Sequence, residues 1–494
     1  MEKLINKTIQ TSRDLTISRS YDLTRLTISR VLRSYDLTRL TILRSYMSYG
    51  LTCLTIFLLS SNIVAQDAPK RWTLEECINY AIANNISLKQ TELNEQARKI
   101  DLNTKRWSWL PSLNGSVSQG FGFGRSQSRE GTIVDQNSSN LSLNVQSGMP
   151  LFTGFRIVNS IAAAKFDLKA AIEALNKAKE DLAVNVASYY LNVLYTKEVY
   201  NIKDAQVKLT EEQVGNTEAL VEAGKVPMSQ LYDMKAQLAN DEAARTAAEN
   251  DYHLALLDLI QALELERLAA DFDVVQPEVS DAIAENMESI LPPDMIYDKA
   301  VVFKPQIKEQ EYLLESRKKQ LRVARSDLYP QLSASAGYSN GYYRSFGTAN
   351  LNNVPFEDQL NKNAQRSIGV TLTIPVFNRF AYRNNTRKAK VDVLNQTLTV
   401  ENNKKILYKE IQKAYFNATA ALEQYIASEK SVAASQEAFK YAEERYAAGK
   451  STVFEYNEAK TKYTNSLSQQ AQAKYNYIFS AKILDFYNGV PIKL

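Results

Sequence analysis

The fold is decided by a long stretch that contains neither glycine nor proline, residues 376–448, which reads VFNRFAYRNNTRKAKVDVLNQTLTVENNKKILYKEIQKAYFNATAALEQYIASEKSVAASQEAFKYAEERYAA. Gly449 ends this stretch, and a second one of the same kind runs back from Ser451 to Asn488. A continuous helix of the first length would measure about 100 Å, far more than an ordinary globular helix. The pattern therefore predicts a very long helical hairpin.

The same design occurs once earlier in the chain. Residues 155–214 and 228–276 also lack glycine and proline, and Gly224 lies between them at the expected turn. Glycine readily adopts the backbone conformation that ends a helix in a tight turn. Two such hairpins in one chain predict a tube or a stalk.

The chain after the N-terminal region is an internal duplication of one unit. Matching motifs keep one fixed offset up to the first predicted strand and a slightly larger one after the second, so the second copy has a longer loop between its strands. We place the copies at residues 73–290 and 291–494. The matching motifs are Leu110-Pro111-Ser112-Leu113 with Tyr329-Pro330-Gln331-Leu332, Pro150-Leu151-Phe152 with Pro375-Val376-Phe377, and Ala223-Gly224-Lys225 with Ala448-Gly449-Lys450.

Each copy opens on a predicted amphipathic helix. In the first copy Thr73 is the expected N-cap, and Glu75 and Glu76 follow in the first turn, where negative charge suits the helix dipole. The helix is expected to run on to Trp109 and to end before Pro111, because a residue that precedes proline avoids the helical region. Pro330 has the same place in the second copy and marks the entry to its first strand.

Two segments in each copy then change from helical periodicity to an alternation of period two. The run Leu141-Ser142-Leu143-Asn144-Val145-Gln146 is typical: one face is apolar and the other is small and polar. Four strands per chain are predicted, near residues 112–123, 140–149, 331–340 and 366–374.

Strands of this kind are typical of a transmembrane β-barrel with a water-filled lumen. The alternative is a soluble antiparallel sheet over a core, but the non-apolar faces carry Ser, Gly, Asn and Thr rather than Lys and Glu. Four strands cannot close a barrel, so strands must be pooled: a dimer would supply about eight and a trimer about twelve. The polar segments 124–138 and 340–364 are the expected exposed loops.

The N-terminal region predicts export. Residues 1–46 form a repetitive extension that we expect to be unstructured, since the motif Ser20-Tyr21-Asp22-Leu23-Thr24 recurs from Ser34 and, in degraded form, from Ser48. Residues 47–65 have the apolar run and small-residue end of a signal peptide, although the run also resembles a short transmembrane anchor. Residues 66–72 would then be an N-terminal lead.

Composition argues against an enzyme and against a nucleic-acid partner. Of the 59 Lys and Arg and the 55 Asp and Glu, nine and four lie in residues 1–46, so the rest of the chain is nearly neutral. The single histidine, His253, lies in an Ala-rich helical segment, and neither a phosphate-binding loop nor a metal-spaced Cys/His cluster occurs. No cofactor or metal is expected, and Cys77 is predicted to be a buried helix residue.

Taken in order, these motifs resemble the outer-membrane efflux channel family, the TolC-like proteins. The resemblance covers residues 73–494, twice over, and rests on the Thr73-Leu74-Glu75-Glu76 opening, the prolines at the strand ends and the glycines at the tips. It implies a mostly α fold with transmembrane β-strands, built from a duplicated helix–strand–strand–helix–helix unit. Three chains would form a twelve-strand β-barrel in the outer membrane, continued by a long α-helical barrel in the periplasm.

The resemblance also implies a function and partners. The homotrimer would be the exit duct of a tripartite efflux pump, with a periplasmic adaptor protein, an inner-membrane pump and outer-membrane lipid as its partners. Two alternatives stay open at this point: the outer-membrane component of type I protein secretion, and a periplasmic coiled-coil scaffold without a pore.

The same family assigns roles to residues at the two ends of the duct. Glu455 and Glu458 take the places of acidic constriction residues after the second tip, and Gln230 and Asp233 take the equivalent places after the first. In a trimer such rings would favour cations and raise the pKa values of their members; solvated surface glutamates are the alternative. The expected tip and adaptor-contact residues are Gly224, Lys225, Gly449, Lys450 and Ser451; those at the barrel-to-helix junction are Pro150 and Pro375.

Overall fold

The computed structural model describes residues 71–127, 133–135, 137–265, 272–276, 291–346 and 353–493. The predicted extension 1–46 and signal peptide 47–65 lie outside the described residues, as does most of the lead 66–72. Only Arg71 and Trp72 of the lead are described, as a short strand, β1.

The helices of the two copies have the same four lengths, 11, 22, 67 and 35 residues, in the same order. A short helix of 7 residues, α7, lies in the second loop. The helices are α1 Leu74–Asn84, α2 Ile86–Trp107, α3 Arg156–Glu222, α4 Met228–Ala262, α5 Pro293–Phe303, α6 Pro305–Ser326, α7 Phe356–Lys362, α8 Ala381–Ala447 and α9 Val453–Tyr487. The fold class predicted from the sequence is therefore confirmed in its helical part.

Four long strands form one antiparallel sheet in the order β2-β5-β7-β8. The other described strands make two small ladders: β1 pairs in parallel with β6, and β3 with β4 inside the segment predicted as the first loop. The strands after β1 are β2 Ser112–Gly122, β3 Arg125–Gln127, β4 Ile133–Asp135, β5 Asn137–Phe152, β6 Asp273–Val274, β7 Gln331–Phe346 and β8 Gln365–Thr373.

The register of the sheet sorts its side chains into two faces. Residues directly opposite each other share a face, so the pairing of Val117 with Leu143 and of Val145 with Tyr338 builds an apolar face. The pairing of Ser118 with Ser142 builds a small, polar one. The apolar face includes Leu113, Val117, Phe121, Leu141, Leu143, Val145, Met149, Ala334, Ala336, Tyr338, Ile368, Val370 and Leu372.

Most large side chains of the apolar face are exposed in the part of the chain that the structure describes. Val117 is 71% exposed and Ile368 is 91% exposed, although both are large apolar side chains. Among the described strands, the outer strands β2 and β8 each pair on one side only. A bare apolar face with open edges is unstable in water, whereas lipid covers such a face once the edges are paired.

The second loop is more structured than predicted, because β7 continues to Phe346 where a loop was expected from residue 340. Beyond the part of β7 that pairs with β8, side-chain amides bond to the β7 backbone in place of a neighbouring strand. Gln359 accepts from the Tyr343 N–H (2.9 Å) and donates to its carbonyl (2.8 Å), and Asn353 does the same at Ser345. These contacts satisfy backbone groups that an open edge would leave unpaired.

The first helix of each copy is broken, which the sequence reading missed. α1 ends at Asn84, and the side chain of Asn85 caps α2 by accepting from the Leu88 N–H at 3.0 Å, so the predicted continuous helix to Trp109 is wrong. In the second copy Lys304 occupies this place, held in an extended conformation before Pro305. The break lets α1 turn its apolar side against the long helices.

The largest core cluster surrounds this break in the first copy. It joins Cys77 of α1, Tyr190 of α3 and Trp72 of β1, all nearly fully buried. The Tyr190 hydroxyl lies 2.6 Å from the Val275 carbonyl oxygen and 3.2 Å from that of Trp72. The prediction that Cys77 is a buried helix residue is confirmed, and burial raises the pKa of its thiol.

The described helices are also unsuited to cross a membrane by themselves. None combines the length and the apolar composition that a spanning helix requires.

Candidate functional site

The far ends of the long hairpins are two equivalent tight turns. Gly224 and Gly449 have φ values of 67° and 69°, in the left-handed region. The N–H of Lys225 bonds to the Leu220 carbonyl at 2.9 Å, and Lys450 makes the equivalent bond in the second hairpin, which defines a glycine C-cap. Both glycines and both lysines are exposed, so the tips present two amino groups to solvent.

Glu455 is tied to the start of α9. Its Oε2 accepts from the Ser451 hydroxyl at 2.6 Å and from the Thr452 N–H at 3.4 Å, while Thr452 Oγ1 accepts from the Glu455 N–H. The resulting capping box also has Arg445 3.8 Å from the carboxylate. The Ser451 hydrogen bond, followed by that of Thr452, lowers the pKa of Glu455 in the single chain.

Two of the predicted constriction residues lie on one groove. Asp233 of α4 and Glu458 of α9 both line a groove of about 950 Å³ between the two hairpins, and both are exposed. Glu455 and Gln230 do not line it. The groove therefore combines two carboxylates and the ammonium group of Lys462 with the exposed ring of Phe454.

A buried ion pair lies behind this groove and joins the two hairpins. Lys460 of α9 places its Nζ 2.9 Å from Oδ2 of Asp241 on α4, and their side chains are only 1% and 4% exposed. Thr210 of α3 donates to the same oxygen at 2.6 Å and accepts from Lys460 at 2.8 Å. Three helices from both hairpins thus meet at one pair of charges.

The other oxygen of Asp241 is satisfied as well. Its Oδ1 accepts from Nε2 of Gln206 at 2.9 Å and from Nε2 of Gln237 at 2.8 Å. A buried charge pair is tolerated when its remaining donors and acceptors find partners, as they do here. Removing one partner would leave the other charge buried without compensation.

Sequence reasoning overlooked this pair, although the seven-residue spacing of apolar and small residues on α4 indicates that Asp241 faces the same side as they do. Met234, Asp241, Ala248 and Ala255 are buried and follow each other at intervals of seven residues on α4. Positions with this spacing form the contact seam between packed helices. A charged residue in that phase indicates a buried polar contact, not a solvated surface charge.

An aromatic cluster joins the two hairpins closer to their tips than the buried ion pair. Met234 of α4 packs against Phe439, Val453 and Tyr456 of the second hairpin. The rings of Tyr446 and Tyr456 lie 5.2 Å apart, and the Tyr456 hydroxyl is buried. Burial raises the pKa of Tyr456, so this phenol stays neutral at any physiological pH.

At the other end of the helices, the change from strand to helix follows the predicted prolines instead of coinciding with them. Pro150 is still paired with Ser333 inside β5, which continues to Phe152. The chain reverses at Gly154 and Phe155, which both have positive φ, and the second copy does the same at Arg379 and Phe380.

Close packing explains the position of the first reversal. A Cβ atom at Gly154 would lie 2.6 Å from the Ser326 carbonyl oxygen, so only glycine fits against the end of α6. Of the other prolines, Pro375 lies between β8 and α8, two residues after the strand ends. Pro111 and Pro330 immediately precede β2 and β7.

No metal-binding arrangement occurs among the described residues. No group of three or more His, Cys, Asp or Glu side chains among them could hold a metal ion. His253 is exposed on α4, with its ring 5.7 Å from that of Tyr252.

Two proteins that are similar to this chain in sequence are outer membrane proteins. The chain is 20% identical to outer membrane protein TolC of Escherichia coli K12 over 421 residues, which is 82% of this chain and 80% of that protein. It is 20% identical to outer membrane efflux protein BepC of Brucella suis, over 77% of this chain and 75% of that protein.

Two solved structures of channels share the fold. The structure of CusC matches with a TM-score of 0.70 at 17% identity, covering 87% of this chain and 96% of that one. The outer membrane channel CmeC of Campylobacter jejuni matches with a TM-score of 0.68 at 19% identity, covering 85% and 86%. The family model described as outer membrane efflux protein matches residues 77–264 and 296–489, one segment in each predicted copy. The chain therefore belongs to the outer membrane efflux protein family, as its sequence motifs indicated.

Proposed function

We propose that three copies of this chain form the exit duct of a tripartite efflux pump, which releases small molecules across the outer membrane. One observation carries the proposal: a sheet with a bare apolar face and a small, polar opposite face is joined directly to two very long helical hairpins. The apolar face suits lipid and the polar face suits a water-filled lumen. Twelve strands from three copies would close both open edges.

The long helices suit the space below the membrane. A helix of 67 residues, such as α3 or α8, measures about 100 Å. It would carry the lumen from the barrel through the periplasm to the tips at Gly224 and Gly449. There, the exposed Lys225 and Lys450 would meet the periplasmic adaptor protein, with the inner-membrane pump beyond it.

The groove acids are the proposed constriction. In a closed ring of three chains, Asp233 and Glu458 would repeat three times around the entrance and favour cations. Glu455 has a different proposed role, because its carboxylate is engaged by Ser451, Thr452 and Arg445 and fixes the start of α9.

A reading of the chain as a scaffold without a pore does not account for the sheet. A coiled-coil scaffold needs the helical hairpins alone, and an exposed apolar sheet would make it aggregate. The exposure of Ile368 and Val117 therefore favours the duct.

The constriction is tested by changing charge while keeping side-chain shape. We expect Asp233→Asn combined with Glu458→Gln to lower the cation-to-anion permeability ratio roughly two-fold or more, because the ring loses both of its acids in every chain. The measurement is the reversal potential of the reconstituted protein across a salt gradient in planar bilayers.

Glu242→Gln is the matched control, since Glu242 is an exposed acid on the same helix α4 and does not line the groove. Its permeability ratio should equal that of the unmodified protein. An unchanged ratio in the double variant would remove Asp233 and Glu458 from the constriction.

A further inference from the structure

The four long strands of the sheet carry very little charge. Their only charged side chains are two arginines, Arg344 on β7 and Arg366 on β8, and they contain no acidic residue. Arg366 lies opposite Tyr338, and Arg344 is an even number of residues from Tyr338 along β7, so both arginines share the apolar face. Both are exposed, and neither forms an ion pair within the part of the chain that the structure describes.

Arg366 lies at one end of the apolar part of β8. On the same face, toward α8, follow Ile368, Val370 and Leu372, which are 91%, 64% and 57% exposed. An unpaired guanidinium among lipid tails is costly, and the cost falls toward the membrane surface. Its place on this face therefore indicates the membrane boundary, where an anionic group can approach it.

The connections of β8 show which boundary this is. One end of β8 leads to α8, and the second loop joins the other end to β7. Because the long helices extend into the periplasm in the proposed duct, the loop end faces the exterior. From Arg366 to Ile374 a tilted strand covers about 20 Å of height, which is most of an apolar band of about 25 Å. Arg366 thus lies near the outer surface of the membrane.

We propose that Arg366 binds a phosphate group of the phosphorylated glycolipid that forms the outer leaflet of the outer membrane. A guanidinium suits this group because it can donate two parallel hydrogen bonds to one phosphate. An acyl chain of the same lipid lies along Ile368 and Val370. The small residues Ala336 and Ala334, directly opposite them on β7, leave a shallow apolar trough beside these side chains.

The surface selects for a molecule that carries both an anion and an apolar chain. Free phosphate would contact Arg366 alone, and a neutral lipid would contact the apolar side chains alone. The four long strands offer no carboxylate that could replace the phosphate. Closing the barrel pairs the edge of β8 and leaves its apolar face toward lipid, so the inference rests on the barrel proposed above.

Lipid binding to the purified, full-length protein tests the site. The protein is titrated with diphosphoryl lipid A, and bound lipid is counted by native mass spectrometry. We expect Arg366→Gln to weaken binding roughly ten-fold or more, because charge-assisted hydrogen bonds to the phosphate are lost. Lipid A from which both phosphates have been removed should bind weakly, and equally to the unmodified protein and to Arg366→Gln.

Arg344→Gln is the matched control. It removes the same side chain from the same face, at a position about 20 Å further along the strand direction and outside the apolar band. It should bind diphosphoryl lipid A as tightly as the unmodified protein does. Arg366→Lys keeps the charge without the paired donors and should fall between the unmodified protein and Arg366→Gln.

Three results would overturn the inference. They are undiminished binding by Arg366→Gln, equal binding of the dephosphorylated lipid, and equally tight binding of phosphatidylglycerol, which would assign the surface to any anionic phospholipid. Because Arg366 is on the face opposite the lumen, Arg366→Gln should conduct like the unmodified channel. Conducting protein whose lipid binding ignores Arg366 would contradict this inference alone, whereas unmodified protein that does not conduct would contradict the proposed function.

Discussion

Replacing Asp241 with Ala is expected to destabilise the packing of the two hairpins by about 3–5 kcal/mol, because Lys460 would keep a buried charge without its partner. Lys460→Ala should cost a similar amount for the same reason. The measurement is the denaturant or thermal unfolding of the purified protein, together with the rate at which trypsin cleaves near the tips.

Two further variants separate charge from packing. Asp241→Leu with Lys460→Met removes both charges and keeps the volume, so it should recover most of the stability that either single change loses. Glu198→Ala breaks the partly exposed pair of Glu198 with Lys474, which joins α3 to α9, and should cost only about 1 kcal/mol or less. Equal costs at the two sites would show that the buried pair has no special role.

The second large effect concerns the lipid face of the sheet. Val145→Arg would place a charge on the apolar face near the middle of β5, and we expect about 2–4 kcal/mol of destabilisation per chain. The folded oligomer should then be scarce in the outer-membrane fraction and should dissociate at lower urea concentration.

The neighbouring residue supplies the control, because successive residues of a strand point to opposite faces. Gln146→Arg adds the same side chain on the polar face and should assemble nearly as well as the unmodified protein. If Gln146→Arg were the more damaging of the two, the assignment of lipid and lumen to the faces would be reversed.

Most of the architecture could be predicted from the sequence because the decisive signals are long and occur twice. The absence of glycine and proline over 376–448 predicts a helix, and α8 indeed runs from Ala381 to Ala447. The period-two alternation predicts the four strands within a few residues of their ends, except that β7 continues further. The glycine at position 449 predicted a left-handed turn, and Gly449 indeed has a positive φ.

The errors arise where tertiary packing overrides local pattern. The break at Asn85 depends on how α1 packs against the long helices, and no proline marks it in the first copy. The reversal at Arg379 and Phe380 uses left-handed conformations that these residues rarely adopt alone, so the helix begins at Ala381 and not at residue 376 as predicted.

The candidate site was harder to predict than the fold. The family resemblance assigned one role to Glu455 and Glu458; in the structure Glu455 completes a capping box, while Glu458 lies on the groove with Asp233. Lys460 and Asp241 were overlooked because charged residues are common on long helices, and only their phase shows that they face inward.

We propose that copies of this outer-membrane protein close a water-filled duct. The most direct test is single-channel recording of the purified, full-length trimer in planar lipid bilayers. We expect discrete conductance steps of uniform size that favour cations. Protein shown to be trimeric and folded that produces no conductance steps would contradict the duct.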